Sequence, residues 1–437
     1  MLPQQLRRMG VVGAGGAGFP TYVKAQAQVE YVLGNGAECE PLLHKDFELM
    51  RHFPEPIIAG MKLMMEATRA RYGKISIKAK NQPAIEAIRP HAEALGIEIL
   101  PLGDFYPSGD EYELVYLATG RLIPPAGIPL QVGCVVNNVE TLYNVYEASQ
   151  GRPVIRKFLS IAGEVQQPKS LWVPIGVSLR EVIELAGGAT VKDFGVFVSG
   201  VMMGRLTFDL DEPVTKTTAG LIVLPRDHYL VQRRSRPPES MHRIGKSACD
   251  QCSYCTEFCP RYLLGYDVQP HRVMRSLGFS LAGTQLWNQW GQLCCACGLC
   301  TLYACPEDLY PKEACDKAKA ELKAAGVRFV QQRPVQVHPM KEARRVPQAA
   351  LRRRLQIERY ETETPYDPIE YRPARVRLLL SQHAGQPAQP VVQAGERVRA
   401  GQPVADVPED RLGVPVHASI DGVVTQVTEQ FIEISAG

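Results

Sequence analysis

Residues 249 to 306 constrain this chain more than any other stretch. They read Cys249-x-x-Cys252-x-x-Cys255-x-x-x-Cys259-Pro260, and then Cys294, Cys297 and Cys300 at the same two-residue gaps before Cys305-Pro306. Three thiolates at that spacing wrap one cube of iron and sulfide, while the fourth, set apart and followed by proline, ligates the other cube in two-cluster ferredoxins. The spacing therefore assigns Cys249, Cys252, Cys255 and Cys305 to one [4Fe–4S] cluster, and Cys294, Cys297, Cys300 and Cys259 to a second. Cys295 is left over, because Cys294 fits the two-residue step and it does not. Structural zinc also uses CxxC pairs, but as two separated pairs of ligands. Three consecutive steps ending in Cys-Pro, twice, favour clusters. A disulfide framework does not suit a chain of 437 residues with no secretory signal.

Composition narrows the rest. A chain of 437 residues holds two to four domains. Hydrophobic content of 45% supplies ordinary cores, and a net charge of +3 gives no field that would draw nucleic acid. No uninterrupted apolar run reaches the ~20 residues of a membrane span. The opening residues lack the apolar core of a signal peptide. Twelve cysteines, mostly in ligand spacing, suit a reducing cytoplasm.

Ahead of the cysteines lies Gly10-Val-Val-Gly-Ala-Gly-Gly-Ala-Gly-Phe-Pro20. As a bare pattern, Gly13, Gly15 and Gly18 match the dinucleotide fingerprint, with Glu38 twenty residues beyond Gly18. The context opposes it: only Val11-Val12 precede the loop where a full strand belongs, and Pro20 falls where the helix should be running. What remains is a side-chain-free backbone able to lie against a phosphate or a flat ring. Strand and helix patterns then alternate over 54–100, which predicts a largely parallel α/β sheet.

Four segments carry a resemblance: Gly13 to Lys24, Tyr31 to Pro41, Tyr106 to Glu111, and Val135 to Thr141. In order and spacing they resemble the flavin-binding domain of the 51-kDa subunit of respiratory complex I. They are more similar still to the C-type subunits of Rnf complexes and to the cobalamin reductases of propanediol-utilising microcompartments. The resemblance implies FMN. By position, Gly13, Gly15, Gly16 and Gly18 would line it, and Lys24 would reach its phosphate or ribityl chain. Asn35 would contact the ring, and Asn137, Asn138 and Thr141 would hold the phosphate end. Glu38, Glu40, Tyr106, Gly109, Asp110 and Glu111 would border the ring and a nicotinamide pocket, with Phe19 stacking on an NADH adenine. Ala14 and Ala37 stand where the complex I family has arginine and aspartate, and the first loss weakens the case for NADH.

The same resemblance orders a multidomain α/β chain. Residues 1–150 form the FMN/NADH domain, 151–238 a β-grasp (SLBB) domain, and 239–330 an α-helical two-cluster ferredoxin-like domain. Residues 331–375, rich in proline and arginine, read as a solvated linker. Residues 376–437, with Gly turns between valine-rich strands, read as a barrel-sandwich hybrid. The tip where carrier domains present a modified lysine is Ser419-Ile420-Asp421 here, so no carrier role is expected. The family likeness implies electron transfer from NADH through FMN and both clusters to cobalamin, as a corrinoid reductase. A rival is a soluble Rnf-like NADH oxidoreductase, and another is a conduit to a cluster-bearing shell protein, recycling NAD. Implied partners are NADH, a corrinoid or other redox acceptor, a microcompartment shell protein and a corrinoid adenosyltransferase. The implied setting is the cytoplasm or the interior of a microcompartment. No residue reads as a dedicated corrinoid site, and the catalytic residues stay unassigned.

Overall fold

The architecture is that of a computed structural model describing residues 1–278, 288–328 and 330–437. The ferredoxin-like segment expected over 239–330 therefore falls partly outside the described residues.

The first domain is the parallel sheet that the alternation predicts. Strands β1 (Tyr31–Gly36), β2 (Tyr72–Lys78), β3 (Ile97–Leu102) and β5 (Cys134–Asn138) lie in the order β3-β2-β1-β5, every neighbouring pair parallel. The short strand β4 (Phe105–Tyr106) lies outside that sheet. Both faces of the sheet are covered by helices, so β1 and β5 are buried almost throughout. Register sets Gly34 beside Asn137 and Asn35 beside Asn138, so the polar ends of β1 and β5 share one edge. Ligands bind outside the carboxyl ends of such strands. No full strand precedes the glycine loop: Val12 makes an isolated bridge to Pro20, and the helix beyond spans only Thr21–Ala25.

The second domain is a mixed five-stranded sheet whose helix, Leu179–Leu185, opens with a Ser178–Glu181 capping box. The last domain is two small sheets, the larger running from Arg375–Leu379 to Phe431–Ala436. Its hairpin tip is buried at Ser419 and exposed at Asp421. Ser419 Oγ donates to the Ile175 carbonyl of the second domain at 2.5 Å.

Residues 331–375 depart from the expected solvated tether. Val346 and Pro347 pair antiparallel with β4, and Gln348–Arg354 is helical. Val346, Leu351, Leu355 and Ile357 are buried in one core with Tyr106, Cys297 and Leu302. The arginines that suggested a linker are paired, Arg352 with Glu361 and Arg354 with Asp308. Sparse apolar residues concealed the packing, because five of them, Tyr360 included, suffice to bury a strap that borrows its partners from three domains.

A buried lysine marks where the first, second and last domains meet. Lys216 Nζ donates to the carbonyls of Gly10 (2.8 Å) and Pro415 (3.0 Å). No carboxylate offsets its burial, which lowers its pKa from 10.5 to about 7. Between those values the unfolded chain binds more protons at this site than the folded one. Stability should therefore rise with pH through that window, by at most ~1.4 kcal/mol per pH unit. The whole cost is present below pH 7 and gone above 10.5. We expect Lys216→Met to be stabilised relative to wild type by a margin that is constant in acid and shrinks toward alkaline pH, as read from urea denaturation. A margin that does not change with pH would mean that this ammonium is not desolvated.

Candidate functional site

The glycine loop, the ends of β1 and β5, and the segment Phe105–Glu111 surround one groove. Gly15 and Gly16 are exposed along it, and nothing lies within 4 Å of the place a Gly16 Cβ would occupy. A Cβ on Gly15 would come within 3.0 Å of the Asn138 side chain. The loop is pinned from beneath, since Ala14 N–H donates to Thr141 Oγ1 at 2.9 Å. Asn137 is 3% exposed, yet its Oδ1 and Nδ2 have no partner among the described residues. Ser108 and Thr21 likewise bury unpartnered hydroxyls. Such orphans are rare in folded proteins and call for an unseen partner. A ligand with a polar ring edge, a polyol chain and a phosphate meets that demand, so the residues fit FMN.

Other expected residues are engaged by the protein itself. Lys24 Nζ donates to the Val136 carbonyl at 2.6 Å. Burial lowers its pKa, and the nearby Glu111 carboxylate opposes that. Burial raises Glu111 in turn. Asn35 Nδ2 donates to the Gly109 carbonyl at 3.0 Å, tying β1 to the 105–111 segment. Glu38 accepts the N–H groups of Asp46 and Phe47 at 2.8 and 2.9 Å, capping the helix Lys45–His52. Burial first, then Asp46, raises it to about 8. Glu40 accepts from Met202 and Met203 of the second domain, and burial brings it to about 7. Both acids thus hold backbone N–H groups in place. Gly13 N–H closes the loop onto the Phe19 carbonyl, and Gly18 lies against Gln382 and His383 of the last domain. Phe19 is 37% exposed.

Beneath the groove lies a buried ion network that sequence reasoning missed. Glu140 Oε2 accepts from Lys45 at 3.0 Å and from Lys157 at 2.6 Å. Lys45 also reaches Asp46 at 2.5 Å, and Lys157 donates to the Ala14 carbonyl at 3.1 Å. Asn138 Nδ2 joins through Asp46 Oδ2 at 2.8 Å. Glu140 was in view within Asn-Asn-Val-Glu-Thr, but Lys157 comes from another domain and carries no local signal.

The cysteines form two sets. Cys249, Cys252, Cys255 and Cys305 line one concavity with His271, Met274 and Leu309. The Cys255 thiol is pushed up by burial and then by Cys249, Cys305 and Cys252. In the second set, burial and then the neighbouring Cys295 and Cys294 raise Cys259, while Cys300 faces Cys294, Cys255 and Cys259. Crowded, buried thiols of this kind suit a cationic core, which an iron–sulfur cube provides. Among the described residues no three His, Cys, Asp or Glu side chains converge on a single ion. Both loops wind alike: φ is positive at Gln251 (63°) and Ser253 (70°), and at Ala296 (57°) and Gly298 (80°). That register aligns Cys294 with Cys249 and makes Cys295 the counterpart of Asp250. Backbone and amide N–H groups already point at sulfur, Ala296 at Cys294, Leu309 at Cys305 and Gln251 at Cys249.

The groove and the cysteines touch. Tyr106, 1% exposed, donates from its hydroxyl to the Cys297 carbonyl at 2.7 Å. Next to Gly109, which holds Asn35, Asp110 caps the helix Glu111–Thr119 and pairs with Arg261 at 2.9 Å.

Family models match along the chain: a Nuo51 FMN-binding domain over residues 6–147, an SLBB domain over 158–206, a 4Fe–4S dicluster domain over 248–310 and an RnfC barrel sandwich hybrid domain over 355–436. The cobalamin reductase PduS of Citrobacter freundii is 44% identical over 99% of this chain and 96% of its own length. The chain belongs to the PduS cobalamin reductase family. The Salmonella typhimurium member is also 44% identical, again over 99% of this chain and 96% of its own length. A component of the proton-translocating ferredoxin:NAD(+) oxidoreductase complex of Clostridium ljungdahlii is 31% identical over 59% of this chain and 55% of its own length. The protein is thus an oxidoreductase that carries electrons through FMN and iron–sulfur clusters. Among the described residues no helix is long and apolar enough to cross a membrane.

Proposed function

We propose that this chain takes electrons from NADH at the FMN groove and delivers them, through two [4Fe–4S] clusters, to a corrinoid. In this reading Cys249, Cys252, Cys255 and Cys305 hold one cluster, and Cys259, Cys294, Cys297 and Cys300 hold the other. Bound FMN supplies the conversion between a two-electron hydride donor and one-electron acceptors. The protein supplies placement. Asn137, Ser108 and Gly16 offer the polar and open faces of the groove, while Thr141 and Lys157 hold the loop in position. The observation that carries the reading is the Tyr106–Cys297 hydrogen bond, which fastens the groove wall directly to a cysteine of the second set.

Support for the corrinoid comes from the family, whose named members are cobalamin reductases. A corrinoid adenosyltransferase or a cluster-bearing shell protein of a microcompartment fits as the receiving partner on the same ground.

The test is anaerobic. NADH added to reconstituted protein should bleach the visible flavin band, and aquacobalamin added next should reoxidise the flavin with the appearance of a reduced cobalt spectrum. Bleaching by dithionite but not by NADH would remove NADH as donor. Full flavin reduction with no change in the corrinoid would remove the acceptor and leave the electron path intact.

A further inference from the structure

Arg261 follows Cys259 and Pro260 in sequence, but its side chain belongs to the groove as much as to the cysteines. The residue is 8% exposed. One guanidinium nitrogen, Nη2, donates to Asp110 Oδ2 at 2.9 Å, and the group lies 3.4 Å above the centre of the Tyr112 ring. Nε and Nη1 have no hydrogen-bond partner among the described residues. A buried cation with two open donors is costly unless something accepts from them. Its surroundings say what that is. The guanidinium is within hydrogen-bonding reach of the Cys295 thiol, the Cys259 sulfur faces the backbone N–H of Arg261 itself, and the Glu111 carboxylate is a further charged neighbour. Arg261 therefore stands between the FMN groove and the set Cys259, Cys294, Cys297 and Cys300.

We propose that Nε and Nη1 of Arg261 donate to the sulfur of the cluster held by that set and raise its reduction potential, with Asp110 as the counter-ion that limits the rise. The inference rests on the cofactor assignment above. Cluster potentials follow net charge, hydrogen bonds to sulfur and exposure. Reduction adds one negative charge to the cluster, so a fixed cation beside it stabilises the reduced form. Arginine suits the position because it holds its proton at any working pH and can stack on Tyr112 while donating from its edge. Asp110 is shared between this pair and the cap of the helix that follows, so the groove wall and the cluster's charge environment are set by one side chain.

Anaerobically reconstituted full-length protein, titrated by electron paramagnetic resonance against applied potential, tests this. The inner cluster is assigned in a Cys252→Ser background, where the outer one is absent. Arg261→Gln is expected to lower the reduced-to-oxidised ratio of the inner cluster about tenfold at fixed potential, equivalent to ~59 mV for a one-electron couple. The outer cluster should not move. Asp110→Asn should shift the inner cluster the opposite way, and it decides the matter if Arg261→Gln fails to hold the cluster. Arg261→Lys, which keeps charge without the planar fork, should fall between glutamine and wild type. Iron, sulfide and flavin are counted on the same samples. A full complement with both potentials unmoved, or both moved alike, overturns the role of Arg261, whereas wild-type protein that assembles no clusters overturns the cofactor reading instead.

Discussion

Exchanging Glu140 for alanine is expected to destabilise the fold by about 3–5 kcal/mol, the usual consequence of stripping one partner from a buried ion pair. Glu140 is fully buried and accepts from Lys45 and Lys157 through one oxygen. Its removal leaves two ammonium groups, each at most 4% exposed, with Asp46 still hydrogen-bonded to Lys45. Lys157 is already strained in this sense, since burial outweighs Glu140 and holds its pKa down to about 8. The effect should extend to the cofactor, because Lys157 also holds the carbonyl of Ala14 in the glycine loop. Urea denaturation should show the loss of stability, and gel filtration should show flavin released with it. Glu140→Gln keeps an acceptor and should lose less. A loss below about 1 kcal/mol for Glu140→Ala would mean that the network is solvated and weak, as surface pairs are.

Removing single cysteines should have the largest effect on composition. Cys252→Ser is expected to halve iron and sulfide and leave flavin in place, because Cys252 is exposed at the rim of its set and touches nothing in the groove. Cys297→Ser should also cost one cluster, but with a second consequence. Its carbonyl receives the Tyr106 hydroxyl, so a cysteine loop that relaxes without its metal releases the groove wall. Flavin should then be retained less well than in Cys252→Ser. Iron, sulfide and flavin analysis of both variants checks this. Equal flavin retention would show that the groove stands independently of the inner cluster, and loss of both clusters in either variant would show that the two sets fold as one.

How much of this was legible depends on whether a feature is local. The cysteine spacing is a short-range pattern with fixed steps, and the two loops that carry it wind alike. The alternation over 54–100 predicts the parallel sheet because each element buries its own periodic face. The glycine loop was legible as a surface for a ligand, and Pro20 correctly argued against a dinucleotide helix. What escaped was whatever spans domains. Lys157 reads as one polar residue at the edge of a strand, and nothing nearby reveals that it completes an ion network under another domain. Arg261 looks like a solvated residue after Cys-Pro, though it is stacked and buried. Residues 331–375 look like a tether because composition reports average polarity, and five buried apolar side chains do not alter the average. Glu38 and Glu40, which the resemblance puts at the groove border, also accept the backbone N–H groups of a helix start and of a loop, a second task that no local pattern announces.

The contact between Gly18 and the last domain has a consequence for biosynthesis. The Gly18 carbonyl accepts the N–H of Ala384 at 3.1 Å, so the flavin loop near the start of the chain is buttressed by residues made hundreds of codons later. A nascent polypeptide that has emerged only as far as its cysteines still lacks that wall. The flavin loop is therefore complete only once the C-terminal module has folded back onto it.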